Sequence, residues 1–449
     1  MTLLASMARR PSTQLLLVAA GFAAIAIAMR LFNAISYPPD WGFDSSFNLR
    51  YILRMSEDWA LPSPEVGWST SDPPLYFTIV AAIWALVGRS LVIIPLVNTA
   101  FGLGCAALAV AAVHRLEPDR PERALLAGGL LLFLPANIYM SVMVNEEILV
   151  SLLTSITLFW LAFPTAEHPL ANAARVGFAA GLATLTKLPG VLAAATAAAS
   201  YGLAGLRERT LLRASRQIAI ALLVAGLAGG WFYARNRVMY GYFQPEKLPI
   251  HEAMFDMPPG ERSVRDYFYV PLATWTDPKL TNEDLLHSVW GSTYATAWFD
   301  GHRFLLPRDD RAVRSLGTVT LLLALLPTVA FAIGLLRGAR RLLRDNSGPD
   351  APLLIYTALA LTGYAYFTWV NPYFAVVKGT SLLSLSLPFA IYASETLAGW
   401  MRHGRVAAMS IAGALAALAA CVVLGSTFNL AFEKTEVSGL PWAAVDGRP

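Results

Sequence analysis

The feature that most restricts this chain is a series of apolar runs, each about 20 residues long, separated by short clusters of charge. A run of that length crosses the hydrocarbon region of a bilayer as a helix. A helix also satisfies its own backbone hydrogen bonds there, which an irregular segment cannot do. Charged residues make up only 14% of the chain, against roughly 25% in soluble domains. That is too few to clothe a soluble particle of 449 residues. The expected fold class is therefore an all-α polytopic membrane protein. The net charge of +4 comes from loop arginines and gives no case for nucleic acid. Cys105 and Cys421 both lie inside apolar runs, so a disulfide framework or cysteine zinc site is not expected. Arg9 and Arg10 precede the apolar run from Leu15 to Ile35 in the manner of a signal peptide. The run is too long for one, and Tyr37-Pro38-Pro39 stands where a small-residue cleavage site would follow. The segment reads as a retained anchor helix.

The apolar runs fall at 13–35, 93–113, 124–142, 147–163, 174–186, 189–206, 217–234, 315–336, 352–370, 380–398 and 406–426, which makes about eleven spans. A further stretch, 75–88, is markedly shorter. Short loops rich in lysine and arginine stay in the cytoplasm. Such loops occur at Arg207 to Arg216, Arg337 to Arg344, Arg402 with Arg405, and Arg115 to Arg123. All of them, with Arg9 and Arg10, share one side only if 75–88 does not cross and is interfacial or re-entrant. Parity then puts the N-terminus inside and the C-terminus outside. The hydrophilic segments 36–73 and 235–313 both lie outside. The organisation expected is one transmembrane module over 1–426, with outer loops 36–92 and 235–313, and an extracytoplasmic tail at 427–449.

The unusual residues cluster on that outer side. In the first outer loop, Phe43, Phe47, Tyr51, Met55 and Trp59 recur every fourth residue, the pattern of an amphipathic surface helix. Asp44 stands at its start and has two readings: an N-cap accepting backbone N–H groups, or a catalytic carboxylate fixed by the helix. Ser71-Asp72-Pro73-Pro74 reads as an ordinary helix start with Asp72 as cap. Asn145-Glu146-Glu147 opens a span, where acidic residues complement the helix dipole. Lys187 lies between two spans without a polar loop or an acidic sequence neighbour. It must face water or an anion, or snorkel to the interface. Arg235 and Arg237 close another span, and Lys378 precedes the span at 380–398. Basic residues are disfavoured in short outer segments. Several on one face therefore call for a shared anionic partner, such as a diphosphate, a lipid-linked phosphate or anionic headgroups. The aromatics of 235–313, including Tyr267, Trp275, Trp290 and Trp298, belong either to the interfacial belt or to a substrate platform.

This layout resembles the C-type (GT-C) membrane glycosyltransferases, in the branch of protein O-mannosyltransferases and lipid A aminoarabinose transferases. The resemblance runs from Met1 to about Trp400. It rests on Asp44 with Phe47 and Asn48, Pro73-Pro74-Leu75-Tyr76, Asn145-Glu146-Glu147, Leu185-Thr186-Lys187, and Arg235-Asn236 followed by Tyr240-Gly241. The chain departs from the pattern at Ser45, where a second acid is common, and at Asp72, where histidine or glutamine often precedes the prolines. It departs again at Lys378-Gly379, in place of an Arg-Tyr pair. The resemblance implies an inverting transferase in the bacterial inner membrane with its site on the extracytoplasmic face. A polyprenyl-phosphate sugar would be the donor, and a lipid, glycan or protein hydroxyl the acceptor. It implies Asp44 as general base and Glu146 as a secondary acid. Lys187, Arg235 and Lys378 would face the donor phosphate, with Asp72, Asn145, Glu147 and Arg237 in secondary places. No metal ligand set is assigned, and a divalent cation stays open. The rival reading is a transporter or flippase of a lipid-linked anion. Such proteins usually place ionisable residues and broken helices near the midplane.

Overall fold

The structure, a computed structural model, describes residues 12–165, 167–245, 261–279, 282–344, 348–372 and 376–429. Arg9, Arg10 and residues 430–449 of the expected outer tail lie outside them. Every described element is helical. The chain enters with α1 (Thr13–Ser36), followed by two shorter helices, α2 (Ser45–Asp58) and α3 (Leu75–Val87), and then α4 (Ile93–Leu116). Next come α5 (Pro121–Leu132), α6 (Pro135–Val142), α7 (Glu147–Ala162), α8 (Pro169–Thr186) and α9 (Val191–Glu208). A π turn at Gly226–Gly230 joins α10 (Leu211–Ala225) to α11 (Trp231–Tyr240). A mostly irregular segment carries α12 (Val289–Trp298), and the bundle closes with α13 (Arg311–Arg344), α14 (Asp350–Val370), α15 (Ser386–Met401) and α16 (Arg405–Ser426).

By length and composition, eight helices among the described residues can cross a membrane, and the pair α5 and α6, bent by 55°, makes a ninth. Pro135 accounts for the bend: the residue before a proline is pushed out of helical geometry, and Leu134 is extended at φ −80 and ψ 113. Helices α7 and α8 stand where the other two of eleven spans are expected. Helix α8 is rich in Ala, Gly and Thr because it is enclosed by α7, α9 and α10 and has little lipid to face. A Cβ on its Gly181 would come within 2.7 Å of the Ala225 carbonyl oxygen of α10, so the two backbones touch, as small residues allow in membranes. Polar pairs tie the bundle internally. The buried Arg30 of α1 donates to the Asn137 side chain at 2.9 Å, and Asn33 donates to the Ser426 carbonyl at 2.7 Å.

The charged junctions segregate to two ends. At one, Arg123 donates to the Ile391 carbonyl at 3.0 Å, Arg207 donates to the Leu342 carbonyl at 3.1 Å, and Arg341 pairs with Asp350 and Glu395. The opposite end gathers α2, the α6–α7 turn, the α8–α9 break and the segments before α13 and α15. Helix α3 begins at this second end and is one of the two shorter apolar helices among the described residues. In its first turn, the Tyr76 hydroxyl accepts from Asn98, in the second turn of α4, at 3.0 Å. The bond ties the start of α3 to α4, and the 13 residues of α3 extend about 20 Å as a helix, against roughly 30 Å of hydrocarbon.

Candidate active site

The site is built from the loop before α2. Gly42 has φ +113, a conformation that side-chain-bearing residues resist, and a Cβ there would meet the Met143 sulfur at 2.8 Å. The chain thus turns tightly against the α6–α7 junction. Two amides stitch the segments together. The Asn145 amide donates to the Phe43 carbonyl at 3.2 Å, and the Asn48 amide donates to the Val144 carbonyl at 2.8 Å and toward Glu146 at 3.5 Å. Asn98 fixes the same turn from α4, donating to the Met143 carbonyl at 2.6 Å. Helix α2 is held on α3 by Tyr51, Ile52 and Met55, while Trp59, the last residue of the four-spaced stripe, is exposed.

Asp44 occupies the cap position of α2, yet its side chain does not cap it. The residue is in the left-handed region (φ 54, ψ 8) and makes no side-chain bond to the first turn. Its carbonyl alone accepts from Phe47 at 3.0 Å and Asn48 at 2.9 Å. The N-cap reading is therefore corrected: the left-handed backbone leaves the exposed carboxylate without a hydrogen bond or ion pair among the described residues. Asp72 is also not the cap of α3. That helix begins at Leu75 with Pro74 before it, and the Asp72 amide instead closes the preceding turn on Ser69 at 2.9 Å.

Lys187, with no acidic neighbour in sequence, has two in space. Its ammonium lies 2.6 Å from Glu146 and 2.8 Å from Glu147. Asn145 shapes the acidic turn by accepting from the Glu147 amide at 2.9 Å. The two carboxylates and one lysine together carry one negative charge. Lys378 has a different environment. Its ammonium sits 4.4 Å from the centre of the Phe43 ring, a cation–π contact, and no carboxylate among the described residues pairs with it. Asp44, next to Phe43 in the chain, and Lys378, over the Phe43 ring, are thus an anion and a cation with no oppositely charged partner among the described residues.

Arg235 and Asp72 both lie within electrostatic reach of Tyr51. Burial pushes the Tyr51 phenol up, with Asp72 acting in the same sense and Arg235 against it. Arg235 also rests 5.5 Å from the Tyr240 ring and donates to Asn236 at 3.2 Å. Arg237 stays outside the group, donating back to the Gly241 carbonyl and resting on Phe243.

Sequence reasoning missed His302. Its ring stacks on Phe304 at 5.4 Å and meets Phe43 edge-on at 4.5 Å, with a buried Nε2 that has no partner. Burial, then the charges of Lys378 and Arg303, push the imidazole down to about 3, so it is neutral at pH 7. Asp300 holds this turn by accepting from the amides of Phe304 (2.9 Å), Leu305 (2.7 Å) and Leu306 (2.9 Å). The only sequence signal was a polar Asp-Gly-His-Arg turn after an aromatic helix. Trp298 and Trp275 pack into the core, and Trp290 lies against Tyr364; among these aromatics Phe268 is exposed.

Compared by sequence, the chain matches no protein-family model and no curated protein. By structure it is similar to the Archaeoglobus fulgidus oligosaccharyltransferase in complex with Zn and sulfate, with TM-score 0.57 and 15% identity over 92% of this chain and 53% of that one. ArnT from Cupriavidus metallidurans, bound to undecaprenyl phosphate, matches with TM-score 0.54 and 14% identity over 93% of this chain and 77% of that one. The archaeal oligosaccharyltransferase AglB from Archaeoglobus fulgidus, in complex with an inhibitory peptide and a dolichol-phosphate, gives TM-score 0.56 and 13% identity, covering 93% and 56%. The chain spans about half the length of the oligosaccharyltransferases. What is shared is the fold, an all-α bundle of long apolar helices. Among the described residues no three His, Cys, Asp or Glu side chains converge as metal ligands, and Glu146 and Glu147 are both engaged by Lys187.

Proposed function

We propose that the protein is an inverting glycosyltransferase that takes a sugar from a polyprenyl-phosphate donor at the extracytoplasmic face and passes it to an acceptor hydroxyl. The observation that carries this reading is the pair of unpaired charges about Phe43. Asp44 is placed by the amide hydrogen bonds of Asn48 and Asn145 to the α6–α7 turn, yet its carboxylate has no hydrogen-bond or ion-pair partner among the described residues. Such a group can accept a proton from an incoming hydroxyl, an effect of roughly 10²–10⁴-fold. As the acceptor oxygen bonds to the anomeric carbon, the bond from that carbon to the phosphate oxygen breaks, and polyprenyl phosphate leaves with the electron pair. Lys378 meets the charge that develops there, and Arg235 adds to the positive field from beside Tyr51. Lys187 is already neutralised by Glu146 and Glu147. It contributes by holding the turn that carries Asn145, and Glu146 by orienting Asn48. The lipid-phosphate ligands of ArnT and AglB, two proteins of this fold, support a lipid-phosphate donor here.

The test is to give the purified protein, in lipid, a panel of polyprenyl-phosphate sugars and a hydroxyl acceptor, and to follow free polyprenyl phosphate and product stereochemistry. Release of polyprenyl phosphate with inversion at the anomeric carbon is expected. Movement of intact donor between leaflets without cleavage would establish the transporter reading instead. Retention of configuration would remove Asp44 from the role of base toward the acceptor.

A further inference from the structure

Lys378 has no acid among the described residues to hold it, so its place over Phe43 is set through its own backbone. That backbone is anchored on both sides. On one, Val377 is 2% exposed and packs with Val289 of α12 and Tyr364 of α14. On the other, the Gly379 amide donates to the Thr296 hydroxyl of α12 at 2.8 Å. A Cβ on Gly379 would lie 2.5 Å from the backbone nitrogen and Cα of Ala297, so the two segments touch where no side chain fits. Between these anchors Lys378 is extended (φ −143, ψ 141), and its ammonium reaches the Phe43 ring.

Helix α12 is itself a fixed base. Its Thr293 hydroxyl lies 2.7 Å from the Tyr364 hydroxyl of α14, and its Tyr294 donates to the Leu321 carbonyl of α13. Thr296 is 2% exposed and gives its own proton to the Ser292 carbonyl at 2.7 Å, which leaves its oxygen to accept from Gly379. The ordinary reading of that bond is that it satisfies the first amide of the turn Gly379–Leu385, which lacks a partner inside the turn. Two features go beyond that need. The bond falls on the residue next to a lysine that no ion pair orients. The chain after α12 also runs directly into the 300–306 turn, whose His302 and Phe304 pack on Phe43 at 4.5 and 5.0 Å. One helix therefore places both the lysine and the ring it rests on. We propose that Thr296 is a positioning residue for Lys378: through the Gly379 amide it fixes the ammonium over Phe43. Resting on the transferase reading above, that is the position from which Lys378 meets the leaving phosphate.

The position of Lys378 can be read without donor or turnover, so the two readings fail separately. Lysines of the full chain in phosphatidylcholine nanodiscs are reductively methylated with isotope-labelled formaldehyde. The Lys378 methyl resonance is assigned by its loss in Lys378→Arg. The ring current of Phe43 should set it apart from the resonances of exposed lysines, and Phe43→Leu should remove the difference. Thr296→Val keeps the shape and deletes the acceptor, and should move the resonance toward those of exposed lysines. Thr296→Ser should leave it in place. Where the valine variant does not fold, Thr296→Ala carries the same expectation. With a working polyprenyl-phosphate donor, Thr296→Val should lose about 10-fold in kcat with donor KM within about twofold, as for an interaction made in the transition state. Thr296→Ser should restore turnover. An unmoved Lys378 resonance in the folded valine or alanine variant would overturn the proposal and leave Thr296 as a support of the turn, whatever its effect on stability. So would a wild-type resonance that coincides with those of exposed lysines. A moved resonance with unchanged kcat would uphold the positioning and remove Lys378 from the phosphate.

Discussion

Arg341, where α13 meets α14, donates to both oxygens of Asp350 at 2.8 and 3.0 Å and to both oxygens of Glu395 at 2.6 and 3.1 Å. Tyr392 adds a bond to Asp350 at 2.9 Å, and Arg123 spans Glu117 and the Ile391 carbonyl nearby. At the opposite end of the bundle, Asp44, Lys378 and Arg54 have no carboxylate or ammonium partner among the described residues. Both ends are rich in charge, but they use it differently. At the first, charges satisfy one another across five helices and hold them together. At the second, backbone and amide bonds fix the loops, and the charges themselves are left for something else. A free charge at a rigid position is what a reaction site requires, because an ion already paired has little left to give a transition state. The lysine most exceptional in the sequence, Lys187, belongs by this measure with the paired charges although it lies at the reactive end.

The largest effect is expected at Asp44. The Asp44→Asn variant should lose on the order of 100-fold or more in turnover, with donor affinity little changed. Its stability should stay within about 0.5 kcal/mol of wild type. Asparagine tolerates the left-handed backbone that this position adopts, and no side-chain bond is lost. Transfer assays and a thermal melt on the same preparation check both halves. Wild-type turnover would move the search for a base to Asp72, since Glu146 and Glu147 are committed to Lys187.

The bundle was legible in the sequence because crossing a bilayer imposes a length and an apolarity that few other constraints mimic. The stretch 75–88 forms a short apolar helix, as its length suggested. The candidates Asp44, Lys187, Arg235 and Lys378 stood out in the sequence as charges on the loop segments, whereas His302 did not. Their relations were not legible there. Nothing in sequence joins Lys187 to Glu146, 41 positions away, or brings Lys378 and His302 to Phe43. Those meetings depend on how the α6–α7 turn and the two segments before α13 and α15 fold back over the end of the bundle. The cap reading of Asp44 failed for a local reason: residue type and position both favoured a cap, and only the backbone angle decided otherwise.

At the paired end the expected effect is on stability. Arg123 is 4% exposed, whereas Glu117 and Glu395 are 30% and 22% exposed. Replacing Arg123 with Met leaves two acids without this partner, but both keep some access to water. The cost should therefore fall below the 3–5 kcal/mol of a wholly buried pair, at about 2 kcal/mol. A lowered melting temperature with unchanged turnover in the folded fraction is the result that sharpens the contrast. Lost turnover at unchanged stability would mean that the two ends are coupled.

The smallest effect concerns His302. With the folded imidazole held down to about 3, against about 6.5 in an unfolded chain, the folded form binds fewer protons between those values. Stability of the 300–306 turn is therefore fully present above pH 6.5 and declines as pH falls toward 3. Asp300 contributes with the opposite sign, since burial raises its carboxyl above the ordinary value, so acid favours its folded form. The two are separated by comparing wild type with His302→Gln. The protection factors against hydrogen exchange of the amides of Phe304, Leu305 and Leu306, which Asp300 binds, should fall less on acidification in the variant. Between pH 7 and 8 the two proteins should show the same pH dependence of exchange, because the histidine is neutral in both the folded and unfolded states there. A titration of His302 near 6.5, followed by its ring resonances, would instead mean that the ring is open to water. The aromatic contacts with Phe43 and Phe304 would then no longer set the charge beside Asp44.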